Sequence, residues 1–196
     1  MIRQIKDVIS SEIKVFWGEE PDESSITTPV IKTNNLSYEG KISFDNITQR
    51  KIDTEKIKDN YLKNGDLLIE KSGGTKTHSV GYVNHFDGED GMYVANNFIL
   101  VLRPNKKLID SKFLFYQMRY FYESNRFSDC YNKTTGIQNL KKDIYLSKNI
   151  NVPDLDEQIA TKNHLENIEN LIDIKNKELN SLNELIKSQF IQEAFV

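Results

Sequence analysis

Two short stretches concentrate the side chains best equipped to recognise a polar ligand. The first runs Lys71-Ser72-Gly73-Gly74-Thr75-Lys76-Thr77-His78, and the second Lys133-Thr134-Thr135-Gly136-Ile137-Gln138-Asn139-Leu140-Lys141-Lys142. Glycines remove side-chain bulk, so the backbone amides of the first stretch can approach a phosphate closely. Lys71, Lys76, Lys133, Lys141 and Lys142 offer charge for phosphates, which gives affinity without sequence choice. Thr75, Thr77, His78, Thr135, Gln138 and Asn139 carry donors and acceptors suited to base edges, and a glutamine amide fits the edge of adenine best. The plainer alternative for the first stretch is a solvated turn.

Other chemistry finds little support. In SGGTKT, residues 72–77, Thr75 stands where a nucleotide-binding loop needs glycine before its lysine, and Glu70 and Lys71 occupy the upstream glycine position. His78, His85 and His164 have no histidine or cysteine partners at metal-ligand spacing. The single cysteine, Cys130, has no nucleophile motif around it and permits no internal disulfide, which points to a reducing cytoplasm. There is no G-x-S-x-G and no cofactor loop opening a helix. The expectation is a chain with no catalytic residues and no metal site. No signal peptide or membrane span is read, since no window approaches ~18 consecutive apolar residues.

The overall charge of −3 hides a segregation. Residues 154–196 hold nine acids and four lysines and carry −5, leaving +2 on residues 1–153. Tyr131–Lys148 alone carries +3. A modest acidic total therefore does not exclude a basic face.

The elements that must hold these stretches follow from pattern. Gly65-Asp66 turns into Leu67-Leu68-Ile69, a strand that delivers the glycine stretch. Val80–Val83 and Met92–Leu102 read as the two arms of a hairpin with the acidic tip HFDGEDG, closed by Pro104. Ser111 to Glu123 is amphipathic at helical spacing, with Ser111 or Asp110 as cap, and its Phe113, Tyr116, Met118 and Tyr120 suit a core or interface. Composition shifts at Pro153: beyond it there is no proline or glycine. Asp154 and Glu157 have capping-box spacing. Leu165, Ile168, Ile172, Lys175, Leu179, Leu182, Ile186 and Gln189 then alternate steps of three and four, a heptad seam with two polar intrusions. A helix from 155 to about 192 would be ~57 Å long, too long to be covered by one small domain, so a partner helix is expected on the seam. The fold class expected is a mixed, strand-rich α/β domain over 1–153 followed by a long coiled-coil helix over 154–196.

Taken in order, Asn64-Gly65-Asp66-Leu67-Leu68-Ile69, Thr134-Thr135-Gly136-Ile137-Gln138-Asn139-Leu140, Asn151-Val152-Pro153-Asp154-Leu155-Asp156-Glu157-Gln158-Ile159 and the heptad helix ending in Phe190 resemble the specificity (S) subunit of type I restriction-modification systems. The resemblance covers roughly residues 28–190. It implies a target-recognition domain that reads one half of a split sequence in double-stranded DNA, and a helix that acts as spacer and docks methyltransferase (modification) subunits. It implies no chemistry in this chain: adenosylmethionine, ATP and Mg belong to the modification and restriction subunits. A usual member carries two recognition domains and two helices paired antiparallel, whereas this chain has one of each. The resemblance therefore implies half a subunit, completed by a second copy joined through Leu165, Ile168, Ile172, Leu179, Leu182 and Ile186. Two other readings stand beside it: a coiled-coil adaptor whose globular domain binds a protein, and the recognition end of a fused modification enzyme.

Overall fold

The computed structural model describes residues 1–75, 77–132 and 136–194, the last four by backbone alone. In chain order the elements are β1 (Ile2–Gln4), β2 (Ile9–Ile13), β3 (Thr27–Ile31), β4 (Thr48–Lys51), α1 (Thr54–Ile57), β5 (Leu67–Glu70), β6 (Ser72–Gly73), β7 (Val83–His85), β8 (Val94–Ala95), β9 (Ile99–Pro104), α2 (Ser111–Glu123), β10 (Gln138–Asn139), α3 (Lys142–Leu146), β11 (Asn149–Asn151) and α4 (Leu155–Ala194). They form two units, Met1–Gln158 and Ile159–Val196.

A four-stranded antiparallel sheet, ordered β2-β9-β5-β7, organises the first unit. Both of its faces are covered, which is why β5 and β9 read as continuous apolar runs rather than as alternation. Leu67, Ile69, Leu100 and Leu102 point into one core with Phe113, Leu114 and Met118 of α2. Leu68, Ile99 and Val101 point into the other, with Ile31, Tyr82 and Phe86. A three-stranded sheet, β4-β3-β8, lies beyond that second core, with β3 and β8 parallel. Asp110 caps α2, its Oδ1 accepting the N–H groups of Lys112 and Phe113 at 2.9 Å each.

The Gly65-Asp66 turn is fixed by charge. Asp66 is buried, and Arg103 from β9 donates to both of its oxygens at 2.7 Å, while Lys63 N–H donates to Oδ2 at 2.9 Å. A bidentate pair of this kind gives geometric definition as well as energy.

The expected hairpin between Val80–Val83 and Met92–Leu102 does not form. β5 inserts between the two arms: β7 pairs with β5 on one side and β9 pairs with it on the other. The acidic stretch between them is tied elsewhere, with Leu62 N–H donating to Tyr93 O at 2.8 Å and Gly91 N–H to Leu62 O at 3.0 Å, and β8 joins the other sheet. A strand apolar on both faces gains most from two neighbours, and that burial outweighs the shorter loop of a local hairpin.

β1 pairs antiparallel with β11, so the first and last strands of this unit are neighbours. α4 starts where the cap predicts: Asp154 Oδ1 accepts the N–H of Glu157 at 2.9 Å. The first turn ends on Gln158, which is wholly buried in the globular unit. The second unit is the rest of α4. At 1.5 Å per residue the whole helix is ~60 Å long. Ile168, Ile172, Leu179, Leu182 and Ile186 are each more than half exposed along it, and Leu165 is half-buried. Among the described residues no helix is long and apolar enough to cross a membrane.

Candidate nucleic-acid interface

The two polar stretches, far apart in sequence, meet in space. β6 pairs antiparallel with β10, placing Gln138 opposite Gly73 and Asn139 opposite Ser72. Leu140 N–H donates to Lys71 O at 2.8 Å, and Ser72 Oγ donates to Asn139 Oδ1 at 2.8 Å. Beyond β6, Thr75 N–H donates to His78 O at 2.6 Å, and Thr75 Oγ1 accepts from His78 N–H at 2.9 Å, closing a tight turn. The His78 ring stacks on Tyr38 with centroids 3.7 Å apart. Thr77 Oγ1 stands 3.0 Å from His78 Nδ1.

Gln138 clamps the two stretches together. Its Oε1 accepts Val80 N–H at 3.3 Å and its Nε2 donates to Thr75 O at 3.4 Å. Both bonds are long and run to backbone, so in this state the amide is committed within the protein. Gly74, at φ +72, lies against that amide: a Cβ there would come within 3.1 Å of it.

The cations divide. Lys142 opens α3 and pairs with Glu12 of β2 at 2.9 Å. Lys141 is exposed, its N–H donating to Cys130 O at 2.6 Å, and Lys71 is half-buried beside the ribbon. An exposed pair such as Lys142–Glu12 is worth little and can be exchanged for a phosphate. Lys76, Lys133, Thr134 and Thr135 lie outside the described residues. Next to them Gly136, at φ +128, and the exposed Ile137 complete the approach to β10.

Two tyrosine hydroxyls that composition did not point to hold the segment just after the turn. Tyr145 is wholly buried and donates to Gly81 O at 3.0 Å, and Tyr122 donates to Ser79 O at 2.8 Å. Burial pushes the Tyr122 hydroxyl up to about 12. A cleft of about 240 Å³ runs beside it, lined by Thr77, His78, Ser79, Tyr122, Glu123, Asn125, Phe127, Ser128 and Tyr131. Cys130 is buried, and its thiol is raised to about 12 by that burial, which suits packing rather than nucleophilic attack. Among the described residues no three His, Cys, Asp or Glu side chains gather where they could hold a metal ion.

The sequence matches the type I restriction modification DNA specificity domain over residues 1–184. The chain belongs to this family.

The MjaX type I restriction enzyme specificity subunit of Methanocaldococcus jannaschii is 25% identical over 187 residues, covering 95% of this chain and 43% of that protein. The fold is similar to that of the HsdS subunit from Thermoanaerobacter tengcongensis, with a TM-score of 0.62 at 16% identity over 92% of this chain and 45% of that one. It is similar also to the type I S subunit from M. genitalium, with a TM-score of 0.50 at 20% identity over 90% of this chain and 42% of that one. The chain thus spans less than half the length of these relatives. In this member of the specificity-domain family, the motif residues have visible work. Asp66 holds Arg103, Gln138 clamps the ribbon, and Gln158 bonds the loop before α2, accepting Asp110 N–H at 2.8 Å.

Proposed function

We propose that this chain is a DNA-reading half of a type I specificity subunit. The recognition domain, residues 1–153, reads one half of a bipartite duplex target through the β6–β10 edge. The helix, residues 154–196, joins a second copy and sets the spacing between half-sites. Two identical units about a two-fold axis would read an inverted repeat. Lys71 and Lys141, together with Lys76, Lys133 and Lys142, neutralise phosphates, and Thr75, Thr77, His78 and Asn139 lie nearest to base edges. The chain itself does no chemistry in this reading. Modification subunits bring adenosylmethionine, and the restriction subunit brings ATP and Mg, to a complex that the paired chains address.

One observation carries the reading: a single family match takes in both the globular unit and most of α4. The exposed apolar stripe on that helix supports the pairing, because a seam this long is costly in water. An adaptor that binds only protein is the weaker alternative, since nothing in its favour accounts for that match. The test is selection from a randomised duplex library by the full chain, alone and with a modification subunit. The expected product is an inverted repeat with a fixed gap; an unenriched library in both arms would overturn the reading.

A further inference from the structure

Glu70 is a buried charge that none of the roles above explains. It ends β5, it is only 6% exposed, and among the described residues no donor stands within hydrogen-bonding geometry of its Oε2. Its backbone is fully engaged: its N–H donates to Tyr82 O at 3.3 Å, and its carbonyl accepts Gly81 N–H at 2.8 Å. The carboxylate lies against the glycine stretch. Gly74 N–H reaches Oε1 at 3.4 Å, and a Cβ added to Gly73, which sits at φ +133, would stand 2.5 Å from that oxygen. Only glycine at 73 leaves the carboxylate where it is. Burial raises its pKa, opposed by the Gly74 N–H and the Tyr82 hydroxyl. A shape-matched neutral side chain would remove this penalty, and the long Gly74 N–H contact, together with the Tyr82 hydroxyl, only partly offsets it.

We propose that Glu70 is a specificity-determining acceptor whose free Oε2 takes an N–H from the exocyclic amine of a base, cytosine N4 or adenine N6, when the glycine stretch meets DNA. A carboxylate accepts but cannot donate, so it repels phosphate and suits an amine, and Glu to cytosine N4 is an established base-edge pairing. The stretch that lies against it is short: a two-residue strand, one residue of which is glycine, paired with β10 over two residue pairs and held beyond them by the two long bonds of Gln138. The inference rests on the proposed DNA-facing role of this edge.

The experiment compares the full chain with Glu70→Met and Glu70→Gln in the same library selection, alongside thermal melting. Wild type should select cytosine or adenine at one position. Glu70→Met should lose about tenfold of that preference, and Glu70→Gln, which keeps one acceptor, should lose less. Glu70→Gln, which keeps an acceptor for Gly74 N–H, should melt at or above the wild-type temperature, and both variants should keep their affinity for mixed duplex. A second arm keeps wild-type protein and removes the amine from the DNA, with purine for adenine and 2-pyrimidinone for cytosine. Loss of about tenfold at one of these identifies the base, and this arm stands even if the variants fail to fold. Unchanged ranking by Glu70→Met, or wild type indifferent to every amine in the half-site, overturns the acceptor role while leaving the DNA-reading function intact. A wild-type chain that selects no sequence overturns both.

Discussion

Replacing Gln158 by leucine should unfold the globular unit far more readily than a single exchange of similar volume suggests. Gln158 is wholly buried, and its amide makes three hydrogen bonds. Oε1 accepts Asp110 N–H at 2.8 Å, while Nε2 donates to Pro153 O at 2.9 Å and to Leu108 O at 3.2 Å. Leucine fills the space but takes the partner from one N–H and two carbonyls that are partly buried. Orphaned groups of this kind cost roughly 1–3 kcal/mol each, with relaxation lowering the sum, so a loss of about 3 kcal/mol is expected. Asp110 also caps α2, so its release loosens that helix at the same time. The second variant, Gln158→Glu, keeps an acceptor for Asp110 but turns its other oxygen toward two carbonyls. It should be as unstable at pH 7, and should recover partly in acid, where the protonated carboxyl can donate again. Urea unfolding followed by the single tryptophan, Trp17, which stacks on Arg50 at 4.3 Å, measures both. Two variants within about 1 kcal/mol of wild type, with no acid recovery for the glutamate, would refute the reasoning.

Other expectations concern pH, DNA and assembly. Burial, with Lys112 beside it, pulls His85 down to about 4, so the unfolded chain takes up a proton below the ordinary value of 6.5 that the native one refuses. Stability should therefore fall as pH drops from about 6.5 to 4, by at most about 3 kcal/mol, and His85→Gln should flatten that slope in acid unfolding curves. Lys141→Ala should weaken binding to all duplexes alike and lower the salt slope by about one unit; a sequence-selective loss would contradict a phosphate contact. Gln138→Ala should free the 71–80 turn, seen as faster amide exchange at Val80, and an unchanged base preference would remove Gln138 from the reading set. Leu179→Asp or Leu182→Asp should give monomers in sedimentation, and an unchanged dimer would defeat the seam.

What was legible in the sequence was local. The apolar run Leu67-Leu68-Ile69 of β5, the start of α2 at Asp110 or Ser111, of which Asp110 is the cap, and the start of α4 after Pro153 each depend on residues within a turn or two of one another, and each stands as expected. Pairing across long separations was not legible. The hairpin expectation failed because β9 takes β2 and β5 as neighbours, and nothing in residues 80–102 announces either. The two polar stretches stood out by composition, but their union in the β6–β10 ribbon is non-local, as is the engagement of the Gln138 amide with Val80 and Thr75. Glu70 did leave a trace: an acid that continues an otherwise apolar, two-faced strand is a buried charge waiting to be noticed. Tyr38, Tyr82 and Tyr122 left none, since aromatic residues are the ordinary filling of a core.

The strand that enters the globular unit and the strand that leaves it run side by side, Ile2 opposite Asn151 and Gln4 opposite Asn149. A module whose two chain ends emerge at one spot can be excised, duplicated or transplanted as a cassette, because its new neighbours attach at a single seam and leave the interior untouched. Under the proposed function, swapping such a cassette would change the sequence selected and leave the helix that follows as it is.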